Sequence, residues 1–307
     1  MKPHSSRLGP TLWRRRYLYL LGLPGLGLLL LFGYLPLFGH LLAFQDFRID
    51  KGLFGSDFIG FKNFEFFFAS NDWWKITLNT LYLNLLFLLF GLGSALIIAL
   101  FLSEIGRHWL KKGAQSLIFL PYFVSWLVVS MMVFQMLKTN GLVNQLLGGL
   151  GLDPVRWYME PGAWPTILTI VYVWKFAGYF SIIFLAAITG ISPEYYESAQ
   201  IDGASKVQQI LRITLPLIRP IIIVLALLAL GRVFFGDFGM IYGIVGDQGM
   251  LFDTTDVIDT YSYRALRQLG NFSMSSAVVL YQSVLGVGMI LASNAVVRRI
   301  DPDSAMF

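Results

Sequence analysis

The chain has 307 residues, of which 56% are hydrophobic and 13% charged, with a mean hydropathy of +0.65. A soluble domain carries about 25% charged residues, so a water-facing globular protein is excluded. Cysteine is absent, which excludes disulfides, thiol catalysis and Cys-ligated metals.

The first element follows Arg14-Arg15-Arg16 and runs over residues 17–44. It exceeds the roughly 7–15 apolar residues of a signal-peptide core and ends in no A-x-A-like site, so it is read as an uncleaved first span. Residues 46–74 then hold Phe58, Phe61, Phe64, Phe66, Phe67, Phe68, Trp73 and Trp74. These rings are either an interfacial aromatic belt or a docking surface. Further apolar runs cover residues 76–102, 114–137, 165–188, 220–245 and 276–297. Between the third and fourth, a Gly/Pro-punctuated loop carries Trp157 and Tyr158 with the same two readings. Each run approaches the ~20 residues a membrane helix needs. None shows the ~10-residue alternation of a transmembrane barrel. The fold class is therefore an all-α membrane protein with six transmembrane helices.

Direction follows from basic residues. With the N-terminus inside, inner segments carry thirteen Lys and Arg: Lys2, Arg7, Arg14–16, Arg107, Lys111, Lys112, Lys206, Arg212, Arg219, Arg298 and Arg299. Outer segments carry eight: Arg48, Lys51, Lys62, Lys75, Lys138, Arg156, Arg264 and Arg267. Both termini are expected in the cytoplasm. The net charge of +5 is thus a topology signal, and no nucleic-acid partner is expected.

Charges within spans are costly and default to functional candidates. Lys175, beside Trp174, falls in the fourth run, and Arg232 and Asp237 in the fifth. Two readings stand. Arg232 and Asp237 pair across the bundle and Lys175 snorkels to an edge, or these groups face a path and hold hydroxyls or carboxylates. Tyr172, Trp174, Tyr179 and Tyr242 offer ring faces that stack on a solute or simply pack. Asp253, Asp256 and Asp259 form a regular acidic run in an outer loop, read as solvated surface. His4, His40 and His108 are too scattered for a metal site. No G-x-x-x-x-G-K-[ST] occurs, and no catalytic constellation stands out, so the chain is not expected to be an enzyme or to hold a cofactor.

The most informative segment is residues 191–220, on the inner side. Ser192 suits an N-cap and Pro193 the first helical position. Glu194 and Glu197 offset the positive helix end. Tyr195, Ala199 and Ala204 supply an apolar face, with Tyr196 on its flank. Asp202-Gly203 breaks the helix. A second helix is expected from about Ser205 to Thr214, with Pro216 and Pro220 punctuating the exit.

Glu197-Ser198-Ala199, Asp202-Gly203-Ala204, Ile213, Leu215-Pro216 and Pro220 resemble the EAA loop of binding-protein-dependent ABC importer permeases. Ser198 replaces the first Ala, and Ile210 stands where Phe is frequent. The resemblance extends to Tyr34-Leu35-Pro36, Ala43-Phe44-Gln45, residues 60–64, Asn79-Thr80, Leu120-Pro121, Trp174-Lys175 and Asp259-Thr260-Tyr261, as in permeases for oligosaccharides within the maltose-permease-like group. Permeases for uronic-acid oligomers, alginate included, belong to that branch.

The resemblance implies a type I ABC importer permease in the bacterial inner membrane. It pairs with a second homologous permease, a dimeric ATPase that binds ATP and Mg, and an external solute-binding protein. The implied coupling residues are Glu194, Glu197, Ala199, Asp202, Gly203, Ala204 and Pro216. The substrate-path candidates are Lys175, Trp174, Tyr179, Arg232, Asp237 and Tyr242. The expected organisation is a cytoplasmic segment (1–16), a first transmembrane helix (17–45), a periplasmic loop (46–75), a five-helix permease core (76–298, coupling loop 191–220) and a cytoplasmic tail (299–307). The competing reading is an ion-coupled secondary sugar transporter, which often shows matched repeats; no convincing repeat is found.

Overall fold

The computed structural model describes residues 16–70 and 72–300. The basic residues Lys2, Arg7, Arg14 and Arg15 and most of the tail lie outside the described residues. Six helices among the described residues are long and apolar enough to cross a membrane: Arg16–Phe44, Asp72–Glu104, Trp126–Gly149, Pro161–Thr189, Lys206–Leu230 and Phe272–Arg299. A bilayer core supplies no water to pair backbone groups, so apolar runs of this length close their own hydrogen bonds as helix.

The first span opens as α1 (Arg16–Leu29), widens into a π turn (Leu30–Tyr34) and tightens into a 3₁₀ stretch (Leu35–Phe44). Strands β1 (Gln45–Asp46) and β2 (Asp57–Phe58) pair antiparallel around the short α2 (Gly52–Gly55). Asn63, on α3 (Lys62–Ala69), donates to the Ala43 and Gln45 carbonyls at 2.9 and 3.0 Å, so this loop is folded back onto the end of the first span. Its aromatic residues divide: Phe67 is buried against Tyr261 and Tyr281, while Phe58, Phe61 and Phe66 are exposed.

The second span is α4 (Asp72–Glu104) and the fourth is α8 (Trp164–Thr189). They lie side by side. Phe87 stacks on Tyr172 with centroids 4.8 Å apart, and Gly91 leaves room for the Tyr172 ring. Gly178 on α8 is as close-fitting: a Cβ there would stand 2.2 Å from the Ile118 carbonyl oxygen. Small residues at such points let helices approach, which is how membrane helices gain packing without a hydrophobic drive between them.

Two apolar runs read as continuous are broken. The run 114–137 divides into α5 (His108–Phe119), a 3₁₀ turn (Leu120–Phe123) and α6 (Trp126–Leu137). Pro121 lacks an N–H, and Ser125 caps α6 by accepting from the Val128 N–H. After α6, α7 (Leu142–Gly149) completes the third span. The run 220–245 also divides. Pro220 lies inside α11 (Leu215–Leu230), the chain leaves helix at 231–237, and it resumes as α12 (Phe238–Val245). Pro220 is therefore not an exit, and Arg232 and Asp237 sit in a break rather than in a helix. The short helices α13 (Phe252–Thr255) and α14 (Ile258–Arg267) precede the sixth span, α15 (Phe272–Ile300).

The core follows this layout. Leu83, Phe87, Val129, Trp164, Leu168 and Met240 form one buried cluster, and Ala95, Ala99, Leu102, Phe184, Ile188 and Ile218 a second. Val233, Ile258 and Val278 join Phe67 in a third.

Candidate functional site

The segment after α8 folds as a compact hairpin. α9 (Pro193–Ile201) begins with Pro193 in its first turn; Ser192 stands at the N-cap, but its side chain makes no capping bond. The helix ends at Gly203, with φ +78°. The Ala204 N–H reaches the Ala199 carbonyl at 2.8 Å and the Gly203 N–H the Gln200 carbonyl at 3.0 Å. This crossed pair is a Schellman ending, whose left-handed residue is normally glycine. Ser205 then opens α10 (Lys206–Gln209) with a capping box: its N–H donates to Gln208 Oε1 at 2.8 Å, and its Oγ accepts from the Gln208 N–H.

The expected helix to Thr214 is instead this short turn followed by a π turn (Ile210–Thr214). The Leu215 N–H bonds the Ile210 carbonyl, and Pro216 brings no N–H to continue the tighter pattern. Tyr196 Oη lies 3.0 Å from Thr214 Oγ1. Tyr196 is thus the inward ring, whereas Tyr195, expected on the apolar face, is exposed. Ile201 is 87% exposed. Glu194, Glu197, Asp202 and Gly203 are exposed as well, with Ala199 and Ala204 half-buried. The hairpin therefore presents carboxylates and apolar side chains together on an open surface.

A cleft of about 640 Å³ lies between α4, α8, α11 and the 231–237 break. Its walls include Phe87, Tyr172, Phe176, Tyr179, Phe180, Phe235 and Phe238, and its polar lining includes Asn84, Arg232 and Asp237. Arg232 is exposed. Among the described residues no ion pair holds its guanidinium, so the expected pairing with Asp237 is not made.

Asp237 is used differently. Its Oδ1 accepts from the Met240 N–H at 3.1 Å, capping α12, and its Oδ2 accepts from Trp126 Nε1 at 3.0 Å. Lys175 is 6% exposed and does not line the cleft. Its ammonium donates to the Tyr122 carbonyl at 3.1 Å and to the Val124 carbonyl, and sits 4.8 Å from the Trp126 ring centroid. It is buried and does not open to the cleft.

Of the other aromatic candidates, Tyr179 lines the cleft and stacks on Tyr122 at 4.6 Å. Trp174 is 43% exposed and stands apart from the cleft. Tyr242 donates to Asp247 and packs on Phe238 and Tyr263. Sequence reasoning missed Phe176, Phe180 and Phe238. The spacing of Tyr172, Phe176, Tyr179 and Phe180 along one helix face was the available signal for most of the wall.

The acidic run of Asp253, Asp256 and Asp259 is not all solvated surface. Asp256 is 8% exposed, accepts from Thr260 Oγ1 at 2.7 Å and pairs with Arg264. Burial pushes its carboxyl above the usual range against the opposing pull of the guanidinium. Asp259 Oδ2 accepts from the Gly236 N–H at 2.7 Å and from Gln282 Nε2 at 2.9 Å, and so holds the 231–237 break in place. Only Asp253 remains outward, paired with Lys75.

The comparisons agree with this architecture. Residues 88–302 match the family of the binding-protein-dependent transport system inner membrane component. The polygalacturonan/rhamnogalacturonan transport system permease protein YteP of Bacillus subtilis is 33% identical over 299 residues, covering 97% of this chain and 92% of the relative. Protein LplB of the same organism is 34% identical over 294 residues, covering 95% and 92%. Among solved structures, a chain of a bacterial ABC transporter involved in the import of the acidic polysaccharide alginate is 35% identical. It superposes with a TM-score of 0.87 over 96% of this chain and 100% of that chain. The chain belongs to the family of inner-membrane components of binding-protein-dependent transport systems, the permease subunits of ABC transporters.

Proposed function

We propose that this permease carries an oligosaccharide, and favours an acidic one of the uronate type, through the cleft beside Arg232. The observation that carries this is the exposed Arg232 guanidinium, held by no ion pair among the described residues, in the lining of an aromatic-walled cleft. Aromatic faces suit sugar rings, and a guanidinium forks onto a carboxylate with charge-assisted hydrogen bonds. The named substrates of the relatives, polygalacturonan/rhamnogalacturonan and alginate, support the same class.

In this reading the chain forms half of the path in the bacterial inner membrane, with both termini in the cytoplasm, and pairs with a second permease. A solute-binding protein delivers substrate from outside; a solved alginate transporter in complex with a periplasmic protein bound to alginate pentasaccharide supports that partner. A dimeric ATPase, which binds the ATP and Mg, docks on the hairpin. Exposed Glu194, Glu197, Tyr195 and Ile201 offer it charge and apolar surface, and Gly203, Ala204 and Pro216 fix the hairpin's shape.

The test is uptake into vesicles that hold the complete transporter, trapped ATP and a collapsed protonmotive force. Import of an acidic oligosaccharide is expected, with a marked loss in Arg232→Met. Unchanged uptake in that variant removes Arg232 from the path, and import that needs the protonmotive force removes the ATP-driven reading.

A further inference from the structure

The breaks in the two apolar runs are joined by one run of polar contacts. Interrupting a helix leaves backbone carbonyls that no helical N–H pairs. In the 120–125 break, the Tyr122 and Val124 carbonyls are taken by the Lys175 ammonium. That ammonium also faces the Trp126 ring. The other end of the same indole, Nε1, donates to Asp237 in the 231–237 break. Trp126 is also pressed against the first turn of α12, just after the second break: a Cβ on Gly239 would stand 2.9 Å from its Cδ1.

Five residues before Asp237 stands Arg232, whose own side chain is held by no ion pair among the described residues. Its place is therefore set by its backbone, whose N–H donates to the Ala229 carbonyl at the end of α11 at 3.0 Å and whose carbonyl accepts from the Phe235 N–H within the break at 2.8 Å. Asp259 and Gln282 hold the break from the other side, through the Gly236 N–H and the Phe234 carbonyl.

We propose that Lys175, Trp126 and Asp237 are positioning residues: they lock the two breaks together and so fix where Arg232 stands in the cleft. This rests on the reading of Arg232 as part of the path. It assigns Lys175 a role on the protein's own carbonyls rather than on solute, consistent with its burial.

Two measurements test it in the assembled transporter. Cysteine is absent from the chain, so spin labels at F123C and Q248C, both exposed positions, report the distance from the first break to the end of α12. Trp126→Phe keeps a ring for Lys175 and removes the N–H to Asp237. It is expected to broaden that distance distribution, and Lys175→Met to broaden it further, with Lys175→Arg closer to the native distribution. An unchanged distribution in Trp126→Phe and Lys175→Met overturns the lock.

The second measurement is a double-mutant cycle on uptake. Trp126→Phe is expected to lower uptake of an acidic oligosaccharide about tenfold in the native background and less than about twofold beside Arg232→Met, the non-additivity of coupled residues. Equal losses in both backgrounds overturn positioning. If Arg232→Met alone leaves uptake unchanged, the path reading fails, and the spin-label distances still decide whether the breaks are locked.

Discussion

Tyr196 Oη and Thr214 Oγ1 lie 3.0 Å apart, and this contact ties α9 to the π turn that leads into α11. It is the side-chain bond within the hairpin that spans both of its arms. On the proposed coupling role, a push on α9 reaches the fifth span through it. Tyr196→Phe removes one hydroxyl and keeps the ring. It is expected to cost about 1 kcal/mol of local stability and to raise the ATP hydrolysed per solute imported. The check is that ratio in proteoliposomes, and an unchanged ratio shows that this bond transmits nothing.

Gly203 gives a test in which packing and backbone separate. Its φ is +78°, and a Cβ there would meet nothing within 4 Å. Any penalty on substitution is therefore conformational. Gly203→Val is expected to cost about 1–2 kcal/mol, the strain of left-handed backbone for an L-residue. Gly203→Asn is expected to cost less, because Asn enters that region more readily. The order of coupled transport should be native, then Asn, then Val. A Val variant as active as the native protein would mean that the Schellman ending is not needed for the hairpin's work.

Much of this was legible in the chain, and what was not has a physical pattern. The six spans were readable because lipid demands long apolar helices. The hairpin's turn was readable because Asp202-Gly203 carries local turn chemistry. The breaks at 120–125 and 231–237 were hidden inside apolar runs. Their backbone groups are satisfied by residues far away in sequence, Lys175 for the first and Asp259 and Gln282 for the second. Local patterns hold no trace of such partners. Pro121 was a clue to the first break, but proline also occurs in continuous spans, as Pro220 does in α11. The acidic run was misread for the same reason: what buries Asp256 and Asp259 is tertiary.

Gly178 predicts where the bundle cannot be enlarged. A Cβ there would stand 2.2 Å from the Ile118 carbonyl oxygen, and a backbone oxygen in α5 cannot rotate away. Gly178→Ala is expected to force α5 and α8 apart at a cost of about 1–3 kcal/mol. Gly93→Ala, on the same α4 that packs beside α8, meets nothing within 4 Å and serves as the neutral control. Thermal unfolding of the purified complex in detergent should separate the two variants, and equal midpoints would contradict the close approach.

Asp256 predicts a pH dependence outside the membrane. Burial holds its carboxyl above the ordinary value, opposed by Arg264. A folded value above the unfolded one means that the native state takes up the proton first. Stability from this group is therefore fully present below the unfolded value and is lost as pH rises through the folded value. Asp256→Asn removes that titration. It also leaves Arg264, only 13% exposed, without its carboxylate, so the variant should be less stable at neutral pH. What distinguishes the titration from this constant loss is slope. From neutral pH down to the ordinary carboxylate value of about 4, the native protein should gain stability on acidification relative to Asp256→Asn. Unfolding midpoints of both proteins across that range measure the difference, and parallel curves would show that Asp256 titrates as an ordinary carboxyl.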